Sequence, residues 1–176
     1  MGEAPFEGIV EAHHREIHRY LGRLTRGSAI ADDLAQETFL RAYRSWKALP
    51  EGANVRAWLF TIATNVMRNH FRGEKRRTRA HDTVKASTRE AGPDRPDGAA
   101  SASEALTLVE SVVATLPLKQ RSAFVLRKVH ELEYDAIGGA LGCSADSARA
   151  HVFQALRKIR HGLDGRELTA VPEVPR

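Results

Sequence analysis

Phe6, Ile9, Val10, Ile17, Tyr20, Leu21 and Leu24 recur close to every 3.6 residues over residues 5–25, a period that predicts an amphipathic helix. Arg26-Gly27-Ser28 interrupts it, and Ser28 suits the N-cap of a second helix over roughly 29–47. That helix carries Asp32 and Asp33 in its early turns and Arg44 and Lys47 in its last, the order the helix dipole favours. Pro50, Glu51 and Gly52 stop the chain, and Asn54 suits the N-cap of a third helix running to about Arg72. Its first half, VRAWLFTIATNVM, is almost unbrokenly apolar; its second half is crowded with arginine.

Residues 83–104 lose the pattern. They hold Ala, Gly, Pro, Ser and Asp with Val84 as the one aliphatic residue larger than alanine, the composition of a flexible linker. Periodicity returns with Leu106, Leu108, Val109, Val112 and Val113, and Pro117 suits the first position of a further helix. A short helix over about 134–141, a turn at Gly142-Cys143 and a longer helix capped by Ser144 then match a helix-turn-helix, with Ala148 and Val152 facing inward. Gly138 and Gly139 weaken the short helix by about 2 kcal/mol relative to alanine, so packing must hold it. No segment alternates as a strand does. The chain is expected to be all-α: a helical domain over 1–82, a linker over 83–104, a second helical domain over 105–163 and a tail over 164–176.

The 176 residues suffice for two small domains, and 42% apolar with 28% charged residues is ordinary for a globular protein. No apolar run approaches the ~18 residues a membrane span needs, and the N-terminus lacks the apolar core of a secretory signal. Position 6 is Phe6 where a myristoylation signal wants Ser or Thr. The single cysteine, Cys143, excludes an internal disulfide, and the protein is expected in the cytoplasm.

Charge changes the picture once it is located. Residues 68–79 set Arg68, Arg72, Lys75, Arg76, Arg77 and Arg79 against Glu74, which equals the whole net charge of +5. Arg149, Arg157, Lys158 and Arg160 form a second cluster. Two focused basic patches on a balanced chain indicate a polyanionic partner, with solvated helix ends as the plainer reading. An enzyme finds little support. His14 and His18 stand i, i+4, but the stretch reads H-R-E-I-H and no third ligand group accompanies it. No phosphate-binding glycine loop or nucleophile motif is present, and Cys143 has no evident base beside it. Neither metal nor cofactor is expected.

The stretches ADDLAQETFLRAYRSW (31–46), VRAWLFTIATNVMRNHFR (55–72) and LPLKQRSAFVLRKVHELEYDAIGGALG with its following helix (116–161) together resemble the extracytoplasmic-function (ECF) group of bacterial sigma factors, in the sigma-70 superfamily. The resemblance implies that the first domain is region 2, which binds core RNA polymerase and the −10 promoter element, and the second is region 4, which binds the −35 element. It places Phe60, Ile62 and Asn65, with Leu49 from the preceding loop, at a pocket for an unstacked promoter base, and gives Arg68, Arg72, Arg76 and Arg77 the phosphates. Many relatives carry an aromatic residue near the Leu49 position. Apart from the resemblance, Phe60 and Ile62 read as ordinary core.

It likewise implies that Asp33, Gln36, Glu37 and Leu40 dock on the β′ clamp helices of polymerase. Arg149 becomes the leading reader of a −35 base edge, since arginine bonds guanine bidentately. Ser144, Ser147, Ala150, His151, Phe153 and Gln154 lie around it, and Arg157 and Lys158 are read as phosphate contacts. Family members usually open this helix with Gly-Thr-Val and carry arginine near Gln154; Asp146-Ser147-Ala148 and Gln154 stand here, so a different −35 preference is expected. The implied partners are core polymerase (β′ clamp helices and β subunit), promoter DNA and an anti-sigma factor. The competing reading, a stand-alone helix-turn-helix regulator, leaves Leu34–Trp46 and Trp58–Arg79 unexplained.

Overall fold

Seven α-helices make up nearly all of the computed structural model, which describes residues 6–25, 28–82 and 102–167: α1 (Phe6–Thr25), α2 (Ser28–Ser45), α3 (Val55–Asp82), α4 (Ala102–Thr115), α5 (Leu118–Lys128), α6 (Tyr134–Leu141) and α7 (Ala145–Glu167). A 3₁₀ turn, Trp46–Ala48, follows α2. No strand occurs among the described residues, and none of their helices is long and apolar enough to cross a membrane. The chain divides into two compact units, one built on α1–α3 and the other on α4, α5 and α7; the division falls within α6, with residues 139–143 grouped with the first.

In the first unit the apolar stripe of α1 is fully buried at Ile17, Tyr20, Leu21 and Leu24. It packs on α2, whose Ala31, Ala35 and Ala42 let the helices approach, and on Leu59, Phe60, Ala63, Val66 and Met67 of α3. Burying each large side chain contributes about 1.5–3 kcal/mol. Two polar links join α1 to α3: Tyr20 Oη lies 2.8 Å from Thr64 Oγ1, and Arg56 Nε donates to both carboxylate oxygens of Glu16 at 3.1 and 3.0 Å. Asn54 Oδ1 accepts from the Ala57 N–H at 3.0 Å, the cap that its position in the sequence predicts.

In the second unit Val112, Val113 and Leu116 of α4 meet Ala155 and Ile159 of α7, flanked by Val109, Phe124 and Leu163. Gly142 turns the chain between α6 and α7 at φ +65°, a conformation that costs an L side chain about 1–2 kcal/mol and costs glycine little. Ser144 Oγ accepts from the Ser147 N–H at 3.2 Å and closes the first turn of α7.

Four boundaries differ from the sequence expectation. Helix α3 continues ten residues past Arg72 to Asp82, because Lys, Arg and Glu are strong helix formers even where no core calls for them. Helix α4 starts at Ala102, inside the expected linker, and α7 extends to Glu167, into the expected tail. Pro117 stands at the N-cap of α5 rather than its first position. The remaining linker residues 83–101, the tail beyond Glu167 and the side chain of Ser28 lie outside the described residues.

Candidate nucleic-acid and polymerase interfaces

On α3 the spacing i, i+3, i+7, i+11 puts Asn65, Arg68, Arg72 and Arg76 on one face. Asn65, Arg72 and Arg76 are exposed and Arg68 is half-buried. Arg77 stands off this line, 3.8 Å from Glu74, so the acid of the basic segment is engaged with one of its own arginines. Ile62 is half-buried one turn before Asn65. Leu49 is half-buried too, held in extended backbone by its N–H to the Trp46 carbonyl at 3.0 Å.

Phe60 is not on this surface. It is 0% exposed, with its ring edge-on to Tyr20 at 5.2 Å and the Arg56 guanidinium 5.5 Å from its centroid. The apolar first half of α3 hides which residues face inward, and only the Tyr20 contact decides it. Trp58, seven residues before Asn65, shares the face and is half-buried; its helical phase was the signal for it.

On α2, Asp32, Asp33 and Gln36 are exposed, Leu40 is 47% exposed and Tyr43 is 61% exposed. Gln36, Leu40 and Tyr43 line an open groove of about 500 Å³ with Phe6, Val10 and His14. Glu37 is drawn to Arg41 at 2.6 Å. His14 stacks on Phe39 and His18 Nε2 lies 2.7 Å from Asp32 Oδ1, so the histidines bind α1 to α2.

On α7 the buried positions Ala148, Val152, Ala155 and Ile159 leave an opposite face carrying Arg149, Phe153 and Arg157 at steps of four, beside Ala150, Gln154 and Lys158. Phe153 is 65% exposed, an aromatic ring in solvent among cations. Arg149 Nη1 bonds Asp146 Oδ1 at 2.8 Å. Its guanidinium carbon lies 4.9 Å from the ring centroid of Tyr134, and that of Arg127 lies 4.8 Å from the same ring. Arg127 is paired with Glu133 at 3.2 Å, a hydrogen bond that holds the guanidinium pKa above its ordinary value. Gln154 Oε1 accepts from Gln120 Nε2 at 2.8 Å. Ser144 and Ser147 are engaged with each other at 2.9 Å, and His151 is half-buried.

Residues 9–77 match the family model Sigma-70 region 2, and residues 106–159 match Sigma-70, region 4. The chain is 31% identical, over 85% of its length and 78% of the relative's, to the ECF RNA polymerase sigma factor SigC of Mycobacterium tuberculosis. The chain belongs to the ECF sigma factors. This sigma factor is also 34% identical to the ferric citrate uptake sigma factor FecI of Escherichia coli, over 90% of the chain and 93% of FecI. With CarQ of Myxococcus xanthus it shares 31% identity, over 93% and 91%.

Its fold recurs in solved structures. One is the sigma factor RpoE with the anti-sigma factor NepR from Bartonella quintana (TM-score 0.73, 21% identity, 90% of this chain and 96% of that one). Another is CnrH with the cytosolic domain of CnrY (TM-score 0.66, 21% identity, 91% and 88%). As a sigma factor the protein is not an enzyme: it directs transcription initiation by binding RNA polymerase and promoter DNA. The α3 and α2 faces fall within region 2, and the α7 face falls within region 4.

Proposed function

We propose that this sigma factor reads the −10 element with Asn65, Ile62 and Leu49 on the α3 side of region 2, and the −35 element with the α7 face around Arg149. The observation that carries the first assignment is the column Asn65–Arg68–Arg72–Arg76. An exposed amide able to bond a base edge sits one turn before a run of cations able to hold the phosphates that follow. Phe60 supports this surface from below rather than lining it. On α7, Arg149 is the base-reading candidate, Arg157 and Lys158 take phosphates, and Phe153 offers apolar contact to a thymine methyl. Ser144 and Ser147, tied up in the cap, serve mainly to fix the start of the helix.

Core polymerase docks on α2 through Asp33, Gln36 and Leu40, with Tyr43 continuing the same face. The cytoplasm, where polymerase is, is the place of action. An anti-sigma factor holds the protein inactive by covering the same surfaces. The structural neighbours RpoE, bound to the anti-sigma factor NepR, and CnrH, bound to the cytosolic domain of CnrY, support that reading, and the Phe6, Val10, Leu40 and Tyr43 groove offers an apolar seat.

Run-off transcription from genomic fragments with purified core polymerase, with and without the protein, tests the proposal. Discrete new transcripts that are lost with Leu40→Asp (docking) and with Asn65→Ala (promoter reading) are expected. A Leu40→Asp protein that still binds core and directs the same starts overturns the docking assignment.

A further inference from the structure

Two guanidinium groups share one aromatic ring in the second unit. Tyr134 opens α6, Arg127 lies in the last turn of α5 and Arg149 lies in the second turn of α7, so three helices contribute to one stack. Two like charges on one ring would repel, but each has its own carboxylate: Glu133 for Arg127 and Asp146 for Arg149. The result is a chain acid–base–ring–base–acid, anchored where Arg127 Nη1 also donates to the Leu132 carbonyl at 2.8 Å. An exposed arginine normally samples many rotamers, and ordering it on binding costs affinity. Here Asp146 holds one nitrogen and the Tyr134 ring holds the guanidinium carbon over its face, so the group is tethered at two points and its remaining N–H groups are presented in a narrower range of directions.

We propose that Tyr134 is a specificity-positioning residue: its ring, with Asp146, pre-orients Arg149, so −35 discrimination depends on a residue outside the recognition helix. The proposal rests on the reading of Arg149 as a base contact. Asp146 plays a double part. It steers Arg149, yet as a carboxylate facing DNA it also opposes binding to phosphates, so its removal separates affinity from selectivity.

The test uses holoenzyme assembled from core polymerase and the full-length chain, on a mapped promoter whose −35 base pairs are substituted one at a time. The readout is the ratio of open-complex formation on the parent sequence to that on each substitution. Tyr134→Leu keeps apolar bulk and removes the ring; it is expected to lower the ratio about two- to fivefold at the base pair whose ratio Arg149→Ala flattens, and nowhere else. Tyr134→Phe keeps the ring and is expected to behave as the parent. Asp146→Ala is expected to bind every sequence more tightly while lowering the ratio at that pair. Equal loss on all sequences with Tyr134→Leu would make the residue merely structural and overturns the proposal. So do unchanged ratios with Tyr134→Leu where Arg149→Ala flattens one pair. If Arg149→Ala itself changes no ratio, the assignment of Arg149 to a base fails first, and the positioning role with it.

Discussion

Tyr20 Oη lies 2.8 Å from Thr64 Oγ1 in the core of the first unit, beneath the surface assigned to the −10 element. Thr64 Oγ1 already donates its proton to the Phe60 carbonyl at 2.7 Å, so the tyrosine hydroxyl is the donor and the threonine oxygen the acceptor. This bond, with the edge-on packing of Tyr20 against Phe60, sets the rotation of α3 relative to α1 and so decides which α3 residues face solvent.

Tyr20→Phe removes that donor without changing the ring, and is expected to lower the stability of the first unit by about 1 kcal/mol in a denaturant titration. Tyr20→Ala, which also leaves a cavity, is expected to cost about 3–5 kcal/mol. Equal effects for the two would mean that the hydroxyl dominates and the packing argument is wrong.

Asn54→Ala deletes the cap of α3 and is expected to cost about 1 kcal/mol, with Asn54→Asp retaining most of the stability. Circular dichroism melts of the three proteins measure it.

Much of this was legible beforehand because it is local. Asn54, Ser144 and the glycine turn at Gly142 announce themselves within four residues, and the end of α6 follows from the last of these. The face of α7 was legible because small and apolar residues alternate cleanly with basic ones. Phe60 was not, because an apolar run has no phase of its own and the burial of that ring is decided by Tyr20, forty residues earlier. Tyr134 escaped for the same reason: its tie to Arg149 spans fifteen residues and leaves no periodic trace. The length of α3 was misjudged because dense positive charge reads as an end, although the residues that carry it favour helix.

Two glycines in helices should respond oppositely to alanine. A Cβ at Gly139 meets nothing within 4 Å, so Gly139→Ala is expected to stabilise the protein by about 0.5–1 kcal/mol. A Cβ at Gly162 would lie 2.8 Å from Val112 Cγ1 and 3.2 Å from Val112 Cγ2, where α7 packs on α4. Gly162→Ala is therefore expected to destabilise, and to do so less by at least about 0.5 kcal/mol in a Val112→Ala background. Additive effects in that double-mutant cycle would count against the close approach of α4 and α7.

The column of cations on α3 makes an electrostatic prediction. Arg72→Gln and Arg76→Gln should each weaken promoter binding by holoenzyme on all sequences alike and reduce the slope of log affinity against log salt by about 0.7–0.9. A change in sequence preference with an unchanged slope would move these residues from phosphate to base contacts.

The most direct test of the two-surface account is a cross of protein and promoter substitutions in the same holoenzyme assay. Asn65→Ala should become indifferent to a −10 base substitution while keeping its response to the −35 element, and Arg149→Ala should show the reverse pattern. If both variants lose activity equally on every promoter, or retain every preference of the parent, the assignment of base reading to these two residues is wrong.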